Sequence, residues 1–126
     1  MAMYAQTSGD HSTNADSLVP IPGLSVTVPA GVDTLVTVIL NLPLPYATGN
    51  DFPGMNVGIS VNGKISPVVS GFTYNEQVPQ SSGRVPTTLV LAIPLASQPQ
   101  TIQAVWSGVR GSTALIDTPA TLTALF

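Results

Sequence analysis

Hydrophobic residues recur at every second position through most of this chain, and this period of two restricts its fold more than any other feature. In Met55–Val61 (MNVGISV), apolar residues alternate with Asn56, Gly58 and Ser60. A period of two places the apolar side chains on one face of a β-strand. No segment shows the sustained i, i+3, i+4 spacing of an amphipathic helix. The sequence therefore predicts an all-β protein.

Further segments alternate in the same way along the chain. They are GLSVTV near Leu24, TLVTVILN near Ile39, TTLVLAIPL from Thr87, TIQAVW ending at Trp106, and the C-terminal ATLTALF. Twelve prolines and eleven glycines punctuate these segments, which is typical of turns between short strands. Short strands at regular spacing predict a Greek-key or jelly-roll sandwich.

Two local signals refine this prediction. Asn62-Gly63 directly follows MNVGISV, and both residue types tolerate positive φ, so we predict a tight hairpin with KISPVVSGF as the returning strand. Pro67 and Pro94 interrupt strand patterns. Because proline has no backbone N–H, we expect those strands to lie at sheet edges or to be bulged.

Charge is scarce: 7% of residues are charged, against about 25% in an average domain. Three cations, Lys64, Arg84 and Arg110, face six carboxylates, so no basic surface exists for nucleic acid. No apolar run reaches the roughly 18 residues of a membrane-spanning helix.

A neutral surface with few lysines to block edge pairing favours a closed homo-oligomer. A monomer with a Ser- and Thr-rich surface is the alternative.

The length of 126 residues suits one domain. Residues 1–17 are polar and lack the basic and apolar regions of a secretory signal, so we predict a flexible lead-in over 1–17 and a domain over 18–126. Residence in the cytoplasm and non-classical export to the cell surface or exterior both stay open. Without cysteine, neither disulfides nor thiolate chemistry is available.

Most catalytic chemistries are disfavoured by the residue inventory. His11 is the only histidine and lies in the predicted lead-in, so a serine nucleophile would lack its base. Zinc ligands and phosphate-binding loops are absent. Glu76 with Asp117 could form a glycosidase pair, and Thr48–Asp51 could offer oxygens to calcium, but nothing else supports either. We predict a protein that is not an enzyme and uses no metal or cofactor.

The two arginines lie in small, hydroxyl-rich segments, SSGRVP for Arg84 and SGVRGS for Arg110. The planar guanidinium fork can grip a carboxylate, a phosphate or the vicinal hydroxyls of a sugar. The nearby segments PYATGNDFPG and GFTYNEQVPQSSGRVP add aromatic rings and hydroxyls, from Tyr46, Thr73, Tyr74, Ser81 and Ser82. Rings that pack on a pyranose and charge-assisted hydrogen bonds suit sugar binding. A structural arginine paired with Asp117 is the alternative.

Several of these segments also carry a family resemblance. IPGL, VILNLPLPYATGNDFPG, GFTYNEQVPQSSGRVP and WSGVRGS, with a following Ile-Asp, closely resemble the N-terminal domain of a Burkholderia two-domain lectin. The similarity extends from about Ile21 to Phe126. The resemblance implies a bacterial protein with a TNF-like jelly roll, a compact homotrimer, and fucose sites between protomers that need no metal.

By position, the resemblance also implies which residues bind the sugar. One protomer would contribute Tyr46, Ser81 and Ser82, its neighbour Thr73, Tyr74 and Arg84, while Arg110 and Asp117 complete the pocket. We expect Asp117 to pair with an arginine and to orient its fork toward the sugar.

Two positions depart from the family pattern. Asn56 follows FPGM where the Burkholderia domain has a tyrosine after FPGI, so an aromatic ring is lost while an amide remains. Affinity or sugar preference is expected to change there. Ser82 replaces a threonine and keeps the hydroxyl.

The sequence thus predicts a lectin for fucose or fucosylated glycans. Two alternatives stay open: a TNF- or C1q-like trimer that binds a protein partner, and a structural jelly roll without sugar binding. The lectin is favoured because five residues suited to a sugar site occur together, namely Tyr46, Tyr74, Arg84, Arg110 and Asp117.

Overall fold

The computed structural model describes residues 1–126 as twelve β-strands without any helix, so none is present that could cross a membrane. The strands are β1 (Ala2–Gln6), β2 (His11–Thr13), β3 (Val19–Val28), β4 (Leu35–Leu42), β5 (Tyr46–Thr48), β6 (Gly54–Val61), β7 (Lys64–Ile65), β8 (Ser70–Thr73), β9 (Thr87–Pro94), β10 (Gln100–Gly108), β11 (Thr113–Ile116) and β12 (Thr121–Leu125). The all-β prediction is confirmed.

The strands form three antiparallel sheets. A four-stranded sheet has the order β1-β12-β4-β9, and a five-stranded sheet has the order β3-β10-β6 with both β7 and β8 paired to β6. A small third sheet, β2-β11-β5, has three strands. The two larger sheets enclose one core of 22 buried hydrophobic residues, to which β3, β4, β6, β9, β10 and β12 all contribute. The architecture is a sandwich.

Strand β9 illustrates how the alternating pattern builds this core. Leu89, Leu91 and Ile93 point inward, whereas Thr88 and Val90 are exposed. Trp106 on β10 is the largest fully buried side chain, at 1% exposure. Burial of such side chains stabilises each by roughly 1.5–3 kcal/mol relative to exposure.

The outer face of the four-stranded sheet carries no charge. The aligned residues run in three rows across β1, β12, β4 and β9: Ala2, Leu125, Thr37 and Ala92; Tyr4, Thr123, Ile39 and Val90; Gln6, Thr121, Asn41 and Thr88. Tyr4 is 59% exposed and Val90 is 56% exposed. We call these three rows the uncharged face.

The hairpin after β6 matches its sequence signal at the turn but not along the returning strand. Asn62 and Gly63 have φ values of 50° and 84°, as the Asn-Gly turn requires. The predicted continuous strand is divided into β7 and β8, with Pro67 in the gap between them. Proline cannot donate to a ladder, which accounts for the interruption. Pro94 ends β9 at an edge of its sheet, as expected.

The first seventeen residues differ most from their prediction. Instead of a flexible lead-in ending at residue 17, β1 pairs with β12 and β2 pairs with β11. Met3 and Ala5 pack against the core, and Thr7 exchanges two hydrogen bonds with Ala120, of 2.9 and 3.0 Å. The segment AMYAQ is itself alternating, but its polar surroundings conceal this. The sandwich therefore includes residues before 18.

Candidate functional site

The side chain of Arg84 is held on three sides. Its guanidinium lies 4.0 Å from the centroid of the Tyr46 ring. Nη1 and Nη2 each donate to one carboxylate oxygen of Asp117, both at 2.7 Å, and Nη1 also donates to the Leu44 carbonyl at 3.1 Å. A bidentate ion pair and a stacked ring fix both the position and the plane of the fork.

The small sheet brings Tyr46 and Asp117 to the same place. Tyr46 is the first residue of β5 and lies opposite Leu115 on β11. Asp117 follows Ile116, where β11 ends. Because β5 and β11 are neighbouring strands, residues 71 positions apart meet at one end of the sheet. A ring and a carboxylate there receive Arg84 from the long loop between β8 and β9.

Tyr74 fastens that loop. Its hydroxyl donates to the Gly83 carbonyl at 2.5 Å and accepts from the backbone N–H of Ala47 at 3.1 Å. The backbone N–H of Tyr74 donates to the Pro53 carbonyl at 2.8 Å. Gly83 precedes Arg84, so these bonds tie the arginine backbone to β5. We call Tyr46, Tyr74, Arg84 and Asp117 the Arg84 cluster.

The ion pair shifts the protonation equilibria of both partners. The hydrogen bond from Arg84 lowers the pKa of Asp117 below its usual value, against an opposing effect of desolvation. The same hydrogen bond raises the pKa of Arg84. Both side chains are 38% exposed, and theirs is the only ion pair in the structure. Asp117 is therefore ionised at neutral pH, which makes it unsuitable as the acid of a glycosidase pair with Glu76.

Arg84 keeps one edge free for a ligand. Arg84 has five N–H groups. Both N–H groups of Nη1 and one N–H group of Nη2 donate in the bonds described above. The remaining donors are the Nε–H and one Nη2–H. In a planar guanidinium these two groups point in the same direction along one edge. Two parallel donors match two adjacent hydroxyls, a carboxylate or a phosphate.

Arg110 is engaged elsewhere. It lies in the β10–β11 turn with a φ of 48°, followed by Gly111 at 75°. Its Nε donates to the Asp51 carbonyl at 2.9 Å, and its Nη2 donates to the Phe52 carbonyl. The sequence left open which arginine pairs with Asp117, and the structure shows that it is Arg84.

The remaining predicted site residues lie outside the Arg84 cluster. Asn56 on β6 and Thr73 on β8 are exposed neighbours in the five-stranded sheet, where Asn56 is paired with Gly71 and Thr73 with Gly54. Ser81 is exposed and Ser82 is half-buried, both in the loop that ends at Arg84. No hydrogen bond joins any of these four side chains to the cluster.

Tyr46 and Arg84 are in contact within one chain. The resemblance implied that these two residues enter a sugar site from different protomers. In the structure they lie together on a single protomer.

Two cavities open on the surface. The smaller, about 210 Å³, touches the Arg84 cluster and is lined by Asp10, His11, Ser12, Tyr46, Leu115, Ile116 and Asp117. The larger, about 490 Å³, lies between β7 and the end of β9 and contains none of the cluster residues. Sequence reasoning missed Asp10, His11 and Ser12 because they were placed in the lead-in. The structure contains no group of three or more His, Cys, Asp or Glu side chains that could hold a metal ion.

Comparison with protein families assigns the chain. The family model described as "Bc2l-C, N-terminal domain" matches residues 2–125. The chain belongs to this family. Membership of the Bc2l-C N-terminal domain family indicates carbohydrate binding as the general class of function. No curated protein matches the chain significantly.

Solved structures support the fold. The chain is similar to the CBM36-1 domain of a multidomain xylanase from the hindgut metagenome of Trinervitermes trinervoides, with a TM-score of 0.51, 15% identity, and coverage of 100% of this chain and 98% of that one. It is also similar to Eiger TNF from S. frugiperda, with a TM-score of 0.57, 11% identity, and coverage of 98% and 90%. At such identities these likenesses concern the fold alone, and they confirm the TNF-like jelly roll.

Proposed function

We propose that this protein is a non-enzymatic lectin that binds fucose or fucosylated glycans at sites between the protomers of a homotrimer. The observation that carries the proposal is the free edge of Arg84, which is held rigid by Tyr46 and Asp117. A sugar offers vicinal hydroxyls to such an edge. Membership of the Bc2l-C N-terminal domain family is consistent with this function.

Rigidity is what makes this arginine suited to a weakly bound sugar. A free arginine side chain loses about 2 kcal/mol of rotamer entropy when it is immobilised. In the folded chain most of that loss has already occurred, because the fork is stacked and doubly bonded before ligand arrives. The Asp117 oxygens also keep lone pairs that can accept from sugar hydroxyls.

A site shared between protomers would bring together predicted residues that are not hydrogen-bonded to one another within one chain. Asn56, Thr73 and Arg110 make no hydrogen bond to the Arg84 cluster. A second protomer can bring such groups to the same sugar. In this proposal the Arg84 cluster comes from one protomer, and the adjoining chain completes the pocket.

The uncharged face supports the proposed assembly. Its exposed Tyr4 and Val90 and its half-buried Ile39 lie among threonines, and burial of such a surface costs no ion desolvation. Three equivalent sites on one closed trimer would raise the effective concentration toward a dense glycan surface. Avidity would then compensate for a weak single site.

Asn56 is the position at which sugar preference is expected to differ from the family. A Cβ atom on Gly71 would come within 2.8 Å of Asn56 Oδ1, so the amide lies directly over a glycine. Asn56 is exposed, and it carries no aromatic ring at the position where the family pattern has a tyrosine. We therefore expect this protein to accommodate a bulkier or branched fucosylated glycan better than a family member that has the tyrosine.

A glycan array with the intact oligomer, followed by calorimetric titration with methyl α-L-fucoside, tests the proposal. We expect fucosylated glycans to bind and the fucoside to raise the melting temperature by mass action. Strong binding of other sugars alone would disprove the fucose preference. A blank array with an intact trimer would favour the protein-binding alternative.

A further inference from the structure

The 210 Å³ cavity shares two of its walls with the Arg84 cluster, namely Tyr46 and Asp117. It therefore lies beside two of the residues that hold Arg84, whose free edge is the fucose position in the proposed function. Its volume is below the roughly 300–1,000 Å³ of pockets for drug-sized ligands. This size suits one further ring rather than a long chain.

The floor of the cavity is a row of side chains across the small sheet. Ser12 on β2 is opposite Leu115 on β11, and Leu115 is opposite Tyr46 on β5. Aligned residues of neighbouring strands point to the same face of a sheet. The floor thus combines an aliphatic side chain and an aromatic ring with a hydroxyl at one end.

One wall of the cavity comes from the N-terminal segment, and it is firmly placed. Gly9 and Asp10 have φ values of 90° and 56°. A Cβ atom on Gly9 would lie 3.1 Å from the carbonyl carbon of Asp117. The Gly9-Asp10 turn is therefore packed against the Asp117 backbone, which sets the distance between the Asp10 carboxylate and the Arg84 cluster.

The polar residues of this cavity are the carboxylates Asp10 and Asp117 together with His11, Ser12 and Tyr46. Asp10 forms no ion pair, since the only one in the structure joins Arg84 and Asp117. A carboxylate without a cationic partner accepts hydrogen bonds from hydroxyls and repels anions. An apolar floor beside an unpaired carboxylate matches a neutral sugar ring, which has an apolar face and donating hydroxyls.

We propose that this cavity binds the second sugar unit of a glycan whose fucose lies against Arg84, and that Asp10 selects a neutral unit over a sulfated one. This inference rests on the proposed function. It assigns to the N-terminal segment the discrimination between glycans that share a terminal fucose.

Calorimetric titration of the assembled protein, residues 1–126, tests the inference. The ligands are methyl α-L-fucoside, neutral disaccharides of α-L-fucose linked to galactose or N-acetylglucosamine, and the same disaccharides sulfated on the second unit. Asp10→Asn removes the charge and keeps the side-chain shape. Asp33→Asn is the matched control, because Asp33 is also exposed, has a φ of 55°, and lies in the β3–β4 loop outside both cavities.

We expect at least one neutral disaccharide to bind about tenfold more tightly than the fucoside, as a hydrogen bond to a charged group allows. Asp10→Asn should remove most of that gain, leave fucoside affinity unchanged and improve binding of the sulfated disaccharide. Asp33→Asn should change none of these values.

The outcomes separate the two proposals. If the fucoside binds but no neutral disaccharide binds more tightly, or if Asp10→Asn binds both disaccharides as the wild type does, the inference is wrong and the proposed function stands. If neither the fucoside nor any fucosylated disaccharide binds, the proposed function is wrong and the inference with it.

Discussion

The uncharged face and the Arg84 cluster are both exposed in the single chain, yet they are built in opposite ways. The uncharged face is a regular surface in which each row, such as Tyr4, Thr123, Ile39 and Val90, follows from strand register. The Arg84 cluster lies at strand ends and in a loop, and it contains the only ion pair.

The difference indicates what each surface can contact. A broad surface without charges can be buried against another copy of the chain without leaving a charged group unpaired and out of contact with water. A small cluster with fixed donors and acceptors suits a polar solute instead. If each surface has one role, substitutions on one should leave the function of the other intact unless assembly itself fails.

The largest effect is expected from a charge on the uncharged face. Val90→Asp would bury a carboxylate in the proposed trimer contact, and an uncompensated buried charge costs about 3–5 kcal/mol. Light scattering after size exclusion should show monomers, and sugar binding should be lost with the trimer. Val32→Asp, the same change at an exposed valine in the β3–β4 loop, should remain trimeric. A Val90→Asp trimer would exclude this face as the contact.

Removal of Arg84 should have the next largest effect. Here sugar binding should weaken while assembly remains intact. Arg84→Ala deletes both free donors, so we expect fucoside affinity to fall on the order of a hundredfold while the trimer persists. Arg84→Lys should restore little, because an ammonium lacks the planar fork. Lys64→Ala, which removes an exposed cation outside the cluster, serves as the control. Unchanged affinity in Arg84→Ala would contradict the assigned site.

Asp117 should have a smaller effect, because it acts on the sugar partly through Arg84. In Asp117→Asn the bidentate pair is replaced by a weaker amide contact, and we expect affinity to fall about tenfold. Circular dichroism and light scattering should match the wild type. Asp16→Asn, at an exposed site outside the cavities, should bind normally. An Asp117→Asn variant with wild-type affinity would show that the carboxylate does not orient the fork.

The smallest effect is expected from pH. The pKa of Asp117 is lower in the folded chain than its ordinary value of 3.8. Between these two pKa values the unfolded state binds more protons than the folded state, so the ion pair contributes its full stabilisation only above the ordinary value. That contribution is lost as pH falls through the lower folded value. The melting-temperature difference between wild type and Asp117→Asn should therefore be constant at neutral pH and shrink only in acid. A difference that disappears near neutrality would contradict this assignment.

The strands were the most predictable part of this molecule. The burial of residues such as Leu89, Leu91 and Ile93 can be predicted because the period of two is a local property of the sequence. Strand β1 was missed although Met3 and Ala5 follow the same rule, since it gains stability only by pairing with β12 at the far end of the chain. Local composition cannot reveal such a long-range partner.

The candidate site was predictable in its residue types but not in its pairings. Aromatic rings, hydroxyls and arginines close in sequence indicated a sugar site. Asp117 bonds to Arg84 rather than to Arg110, which is nearer in sequence. This pairing depends on how the loop after β8 crosses β5. Tyr74 holds that loop in place through its hydrogen bonds to Gly83 and Ala47. The cavity beside Asp10 required the same knowledge of the folded chain.

The pairing of β1 with β12 has a consequence for the connectivity of the molecule. Ala2 lies opposite Leu125, and the backbone N–H of Phe126 donates to the Met1 carbonyl at 2.8 Å. The polypeptide is thus nearly a closed ring. Joining residues 1 and 126 through a short linker and opening the chain at the exposed Asn62-Gly63 turn should give a circular permutant with the same sheets.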